Sequence, residues 1–142
     1  IQEANAGKGK SKPVFLKIAP DLTEPQVDDI IEITLQTGLA GLVISNTTIS
    51  RSGLLTPQSE VAAIGAGGLS GAPVFERSTA LVNYVAKRAQ KRFAIIASGG
   101  IFSADDAMKK LEAGADLVQL YTGFIYEGPA LIKAINKKML TN

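Results

Sequence analysis

Three features of this sequence could bind a ligand or take part in a reaction: one lysine, a cluster of polar residues and a pair of glycine-rich segments. Lys17 is the only charged residue in the apolar run 14–19, where it lies between Leu16 and Ile18. A lysine ammonium group is costly to remove from water unless it is paired. Lys17 therefore either reaches solvent at a strand edge, or forms a fixed cation that faces an anionic ligand or a cofactor that gathers negative charge.

The polar cluster follows the second apolar run. Ser45, Asn46, Thr47 and Thr48 are consecutive, and their hydroxyl and amide groups both donate and accept hydrogen bonds. Such a set could match a planar polar ligand, and it could also form an Asx or Ser/Thr turn that binds nothing. The residue types alone leave both interpretations open.

Two glycine-rich segments could bind a phosphate group. Residues 67–71 (GGLSG) precede a predicted helix, and Gly99 and Gly100 directly follow an apolar run. Glycine permits positive φ angles and a close approach of the backbone, so that successive N–H groups can converge on one anion. Because Tyr121 and Thr122 follow a further apolar run in the same way, we predict a phosphate site at these loops.

The composition excludes several classes of site. The 142 residues include no cysteine and no histidine, which removes disulfides, Cys/His zinc sites, cysteine nucleophiles and Ser-His-Asp triads. We therefore predict no metal site. The 15 basic and 13 acidic residues give a net charge of +2, which indicates no nucleic-acid partner. No apolar run approaches the roughly 18 residues that a membrane span requires.

Alternating strands and helices must position these residues. Apolar runs predict strands at residues 14–19, 41–45, 93–97 and 116–120. Periodic apolar residues and capping signals predict four helices: one begins after Thr23 and stops at Gly38, and the others lie at about 75–90, 104–113 and 129–139. Residues 46–73 are predicted as a long irregular stretch, and the basic pairs at 87–88, 91–92, 109–110 and 137–138 as a solvated outer face.

This order of elements predicts the α/β class and one partial domain that spans residues 1–142. Strands buried on both faces, with helices between them, form a parallel sheet. A complete (β/α)8 barrel needs about 250 residues, so that four βα units form half of one. The chain begins with Ile1 rather than methionine, and we take it to be a fragment without the N-terminal half. Apolar strand residues such as Phe15, Val43, Ile95 and Val118 lead us to expect that an open half-barrel either self-associates or remains an open sheet.

Five motifs together closely resemble the C-terminal half of the dihydroorotate dehydrogenase family. They are KIAPDLT at residues 17–23, SNTTISR at 45–51, GGLSG at 67–71, GGI at 99–101 and LVQLYTG at 117–123. The likeness extends from about Pro13 to Met139. The NTTxxR and QLYT pieces are similar to class 2, the quinone-reducing, membrane-associated branch of the family.

The resemblance implies an FMN enzyme that oxidises dihydroorotate to orotate with quinone as the acceptor, in de novo UMP biosynthesis. Lys17, Ser45, Gly71, Gly100, Tyr121 and Thr122 match positions that bind the flavin. Asn46 and Thr47 match the pair that binds the orotate or dihydroorotate ring. The (β/α)8 barrel fold is part of what the family implies.

The resemblance also implies parts that lie outside this sequence. The catalytic base of class 2 is a serine in the first half of the barrel, so no catalytic residue is assigned here, and we expect the fragment alone to be inactive. Quinone would bind through the missing N-terminal region. The whole enzyme would be peripheral on the cytoplasmic side of the cell membrane, and the fragment itself soluble.

Two other interpretations compete with this one. A phosphate-binding (β/α)8 barrel isomerase or lyase without flavin would share the glycine loops, but it would not need the combination of Lys17, Asn46 and Thr47. A non-catalytic binding fragment is the third interpretation.

Overall fold

Strands and helices alternate in the computed structural model, which describes residues 4–5, 7 and 12–141. The strands are β1 (Phe15–Ile18), β2 (Gly41–Ile44), β3 (Ala94–Ser98) and β4 (Leu117–Gln119). The helices are α1 (Glu24–Gln36), α2 (Gln58–Ile64), α3 (Phe75–Ala89), α4 (Ala104–Glu112), α5 (Thr122–Glu127) and α6 (Pro129–Thr141), and a 3-10 turn at Ala72–Val74 leads into α3. Among the described residues, no helix is both long and apolar enough to span a membrane.

The four strands form one parallel sheet in the order β1-β2-β3-β4. Its register aligns Ile18 with Ile44, Ile44 with Ala97, and Ala97 with Val118. The predicted parallel sheet is therefore confirmed, and all four strands end at the same edge.

One face of the sheet packs against helices and carries the core. Side chains alternate between the two faces of a strand, so that Ile18, Ile44 and Ala97 point towards the helices, where each is buried. The helices supply the apolar positions that their spacing predicts: Val27 and Ile31 from α1, and Leu81, Val82, Val85 and Ala89 from α3.

The opposite face carries a row of side chains that includes one charge. The register places Lys17, Val43, Ile96 and Leu117 side by side across all four strands. Leu117 is 58% exposed. Ile95 and Val118, two of the apolar strand residues that suggested self-association, pack in the helix-side core, because they are one residue out of phase with this row.

Predicted caps fix where two helices begin. The backbone N–H of Thr23 donates to Gln26 Oε1 at 2.9 Å, which forms part of the predicted capping box of α1. At the start of α4, Ser103 Oγ accepts from the Asp106 N–H at 3.1 Å. Each side chain satisfies a donor that the first turn of a helix leaves unpaired.

Two short helices were not predicted. α2 lies within the stretch that was predicted to be irregular, and none of its residues is buried, so that no apolar periodicity marks it. α5 begins directly after β4, and Gly123 within it lies so close to the Ile101 carbonyl that an added Cβ would be 1.9 Å from the oxygen. A glycine required for packing lowers the helical propensity of this six-residue segment.

The prediction that all the basic pairs are solvated was wrong at Lys110. Its neighbour Lys109 is exposed, whereas Lys110 is fully buried between α4 and the start of α3. Its position two residues before the C-terminal end of α4 gave no sequence signal, since lysines near a helix C-terminus usually face solvent.

A carboxylate fixes the start of β4 against β3. Asp116 donates its backbone N–H to the Ile95 carbonyl at 2.8 Å, and its Oδ2 accepts the Ile95 N–H at 2.8 Å. Lys91 Nζ donates to Asp116 Oδ1, also at 2.8 Å. Burial raises the pKa of Asp116, but the hydrogen bonds from Lys91 and Ile95 outweigh it, so that the pKa is lower than usual.

We expect Asp116→Ala to lower the free energy of unfolding by about 1–3 kcal/mol, because it leaves the Ile95 N–H without its acceptor. The contribution is present above the ordinary carboxyl pKa of about 3.9 and is lost as the pH falls through the lowered value. Urea denaturation at pH 7 measures the effect. Asp29→Ala, at an exposed carboxylate of α1, is the matched control and should change stability by less than about 0.5 kcal/mol. Equal effects of the two variants would contradict the prediction.

Candidate functional site

One cavity of about 240 Å³ lies at the edge where the strands end. The carboxyl ends of parallel strands share an edge, which is where ligand sites occur in α/β folds. The eight residues that the sequence predicted as a site all line this cavity: Lys17, Ser45, Asn46, Thr47, Gly71, Gly100, Tyr121 and Thr122. The structure therefore brings together residues from five separate motifs.

Lys17 supplies the charge of the cavity. Among the described residues that line the cavity, no other is an aspartate, glutamate, lysine or arginine. Lys17 Nζ donates to Gln119 Oε1 at 3.5 Å, which connects the two outer strands of the sheet. Adjacent strands lie about 4.8 Å apart, so this contact requires both side chains to reach inwards over the sheet. Lys17 is exposed there, and its cation can meet an anionic ligand.

The loop after β2 brings polar groups to the lining. Ser45 is buried, its N–H donates to the Ser98 carbonyl at 2.9 Å, and the Ile44–Ser45 peptide bond is cis. Asn46 donates its N–H to the Ile18 carbonyl at 2.8 Å, and its Oδ1 accepts the Thr47 N–H at 2.9 Å. These bonds join the ends of β1, β2 and β3.

Asp21 fixes the far end of the same loop. Its carboxylate accepts the Thr48 hydroxyl and, at 3.2 Å, the Ile49 N–H. The Arg51 guanidinium donates to the Thr48 carbonyl at 3.3 Å and to the Gly67 carbonyl. Two charged side chains thus hold the backbone that carries Asn46 and Thr47, without lining the cavity themselves.

The glycine-rich segment packs against this loop. Thr48 and Leu69 exchange backbone hydrogen bonds at 3.0 and 2.8 Å. A Cβ added to Gly68 would lie 1.9 Å from Thr47 Oγ1. The close approach explains why glycine occupies this position, and it fixes Thr47 at the lining.

Arg77 of α3 connects this region back to β1. Its Nε donates to the Pro20 carbonyl at 2.9 Å, and its Nη2 donates to the Leu22 carbonyl at 2.8 Å. The loop that contains Asp21 is therefore tied to the helix that follows the glycine-rich segment.

Gly100 brings the loop after β3 against the start of α3. Its φ is +73°, and an added Cβ would lie 2.5 Å from Phe75 Cβ and 2.9 Å from Phe75 N. A side chain here would displace the first turn of α3, so only glycine lets the two segments pack this closely. The positive φ and the close approach fit the role expected of glycine here, and the phosphate site itself stays a prediction.

The loop after β4 closes the other side of the cavity. Thr122 Oγ1 donates to Ser70 Oγ at 3.0 Å, and a Cβ added to Gly71 would lie 3.4 Å from Thr122 Cγ2. Tyr121 is 76% exposed. The hydroxyls of Ser70 and Thr122 thus lie beside the predicted phosphate loops.

Sequence reasoning missed several positions of the candidate site. Gln119 and Ser98 line the cavity, and Asp21 supports it from outside. Gln119 had a usable signal, since it is a polar residue that alternates with apolar neighbours in a strand. Asp21 had none, because its partners Thr48 and Ile49 are 27 and 28 residues away along the chain.

The arrangement can bind a ligand that combines a negative charge with planar polar groups. Lys17 provides a cation, the Asn46–Thr47 segment provides amide and hydroxyl groups, and the glycine turns provide accessible backbone. No carboxylate lies among the described lining residues, which favours an anion over a cation.

Known proteins resemble this chain over nearly its whole length. The family model described as Dihydroorotate dehydrogenase matches residues 2–142. A relative from Christiangramia forsetii, named Dihydroorotate dehydrogenase (quinone), is 54% identical over 140 residues, which cover 99% of this chain and 40% of the relative. A second with that name, from Rhodococcus erythropolis, is 52% identical over 127 residues, or 89% of this chain and 36% of the relative. The chain thus spans well under half the length of either relative.

The fold agrees with this likeness. The solved structure described as "Crystal structure of DHODH in complex with ferulenol from Eimeria tenella" superimposes with a TM-score of 0.83 and 42% identity, over 94% of this chain and 35% of that one. The four parallel strands and their helices are confirmed as part of a (β/α)8 barrel. The match over residues 2–142 and the agreement in structure show that this chain belongs to the dihydroorotate dehydrogenase family.

Proposed function

We propose that this chain forms the flavin- and substrate-binding part of a dihydroorotate dehydrogenase (quinone). The whole enzyme would oxidise dihydroorotate to orotate, with quinone as the acceptor, in pyrimidine biosynthesis. The observation that carries the proposal is the single cavity lined by all eight predicted residues, with Lys17 as its cation. Family membership supports the same reaction.

The residues present fit FMN as the cofactor. FMN carries a terminal phosphate and a ring system that gathers negative charge when reduced. The backbone at Gly71 and Gly100, with the Tyr121 and Thr122 positions, would hold the phosphate. Lys17, with the Ser45 loop beside it, would lie at the ring. The chemistry that FMN supplies when bound is the reversible acceptance of two electrons.

Asn46 and Thr47 would orient the substrate. A dihydroorotate ring presents amide and carboxylate groups, which match the amide and hydroxyl side chains of this pair. Oxidation removes a hydride from C6 and a proton from C5, so a base must stand near C5. No residue of the cavity is assigned as that base. The resemblance assigns it to a serine elsewhere in the barrel.

The cavity of about 240 Å³ is smaller than the roughly 300–1,000 Å³ of most small-molecule sites. We propose that other segments of the whole enzyme complete it. Such segments would also supply the quinone site and the peripheral association with the cytoplasmic side of the cell membrane.

Flavin binding and turnover test the proposal in two steps. Calorimetric titration of the chain with FMN should show saturable binding. A chimera, in which this chain replaces the matching segment of the Christiangramia forsetii relative, should reduce quinone only when dihydroorotate is present. The chain alone should not turn over dihydroorotate. An absence of FMN binding together with an inactive but folded chimera would overturn the proposal.

We expect Lys17→Met to weaken FMN binding by roughly tenfold or more, because a hydrogen bond to a charged group contributes about 1.5–3 kcal/mol. FMN titration of the chain measures this. Lys12→Met, at an exposed residue before β1, is the matched control and should leave the affinity unchanged. A Lys17 variant that binds FMN as tightly as the control would contradict the assigned role of the cation.

We expect Asp21→Asn to raise the KM for dihydroorotate by roughly threefold to tenfold, because the amide can no longer accept from both Thr48 and Ile49 and one bond of about 0.5–1.5 kcal/mol is lost. The flavin content of the chimera should stay the same, since Asp21 does not line the cavity. Steady-state kinetics of the chimera provide the measurement. Glu32→Gln on the exposed side of α1 is the control. An equal loss of flavin and substrate affinity would point to general unfolding instead.

A further inference from the structure

Lys110 is a buried cation that the proposed function does not use. It is among the largest fully buried side chains of the described residues. Burial of an ammonium group is expensive unless the group is hydrogen-bonded or compensated by charge. Its presence behind the candidate site therefore requires a physical account.

The ammonium group of Lys110 is directed at the first turn of α3. Lys110 Nζ donates to the Phe75 carbonyl at 3.1 Å and to Ser78 Oγ. It also lies 4.6 Å from the centroid of the Phe75 ring, within the range of a cation–π interaction. One side chain of α4 thus contacts three groups at the start of another helix.

The same first turn supports the loop after β3 from behind. Ser78 Oγ lies 3.4 Å from the Gly99 carbonyl, and Gly100 approaches the Phe75 backbone so closely that no Cβ fits. Gly99 and Gly100 both line the cavity. Lys110 therefore contacts residues that pack against the lining, without lining the cavity itself.

The surroundings of Lys110 leave its charge only partly compensated. Burial lowers the pKa of Lys110 to about 8, against the opposing attraction of Glu76 on α3 and Asp106 on α4. The Lys109 ammonium lies 5.8 Å from the same Phe75 ring. An anion held at the Gly99–Gly100 turn would stabilise the charged form of Lys110, and by reciprocity the charged form would strengthen binding of that anion.

We propose that Lys110 is a positioning residue that sets the first turn of α3 against the Gly99–Gly100 turn and makes this end of the cavity selective for a phosphate-bearing flavin. The inference rests on the proposed function, because it takes FMN as the ligand. It adds a residue outside the lining to the groups that would hold the phosphate. FMN is favoured over riboflavin, which has the same ring and ribityl chain but no phosphate.

A merely structural lysine would behave differently in two measurable respects. Its loss would weaken FMN and riboflavin binding by the same factor, whereas loss of a charge behind the phosphate loops weakens only FMN binding. A structural role would also leave FMN preference independent of pH. The proposed role makes FMN affinity fall as the pH rises through about 8, since deprotonation removes the charge. The phosphate is already a dianion above about pH 7, because a phosphate monoester has a second pKa near 6.

The test is a calorimetric titration of the chain with FMN and with riboflavin between pH 7 and 9.5. At pH 7, Lys110→Met should lower the ratio of FMN to riboflavin affinity by roughly tenfold. Lys110→Arg should keep the preference for FMN over riboflavin. Its FMN affinity should no longer fall above pH 8, because arginine stays charged. Lys109→Met, the exposed neighbour on α4, is the matched control and should change neither. Circular dichroism checks that each variant is folded.

The outcomes separate this inference from the proposed function. An unaltered chain that binds neither flavin overturns the proposed function and, with it, the inference. FMN binding that persists with the same ratio in Lys110→Met overturns the inference alone. If the variants do not fold, the unaltered chain still decides: FMN affinity that is flat across pH 8 overturns the inference, and a fall that riboflavin does not share supports it.

Discussion

The site depends on four short strands that pair in one parallel register. The register aligns Lys17, Val43, Ile96 and Leu117 across the sheet. The segments that follow the strands therefore all begin at the same edge of the sheet. Each of these segments then needs only a few residues to reach the cavity. A slip of one residue in β1 would turn Lys17 towards the helices and Ile18 towards the cavity. The buried partners of Ile18 on the helix side oppose such a slip.

Close packing between loops is the second level of organisation. Gly68 against Thr47 and Gly100 against Phe75 are contacts that exclude even a methyl group. Charged side chains outside the lining then hold the loops in place, with Asp21 and Arg51 on one side and Lys110 on the other. Residues that line the cavity and charged residues that hold its loops in place are therefore largely different sets.

Much of the fold and half of the lining could be predicted from the sequence, because they depend on local signals. Apolar runs marked the strands, and Thr23 and Ser103 marked two helix starts. Lys17 within β1, and the polar and glycine residues after β2, β3 and β4, marked the candidate site. The errors came from long-range packing. α2 buries no residue and α5 contains a glycine fitted to Ile101, while Lys110 is indistinguishable from Lys109 until α3 is placed over it.

The contacts around the loop after β2 form a closed circuit. Asp21 bonds to Thr48, Thr48 pairs with Leu69, and the chain continues into α3, from which Arg77 returns to Pro20 and Leu22. Because each segment of this circuit is hydrogen-bonded to two others, moving any one of them away would break hydrogen bonds to both. A molecule cannot enter through this rim without that cost. The loop that carries Asn46 and Thr47 is therefore held as part of a fixed rim, and it does not form a flap that could open alone.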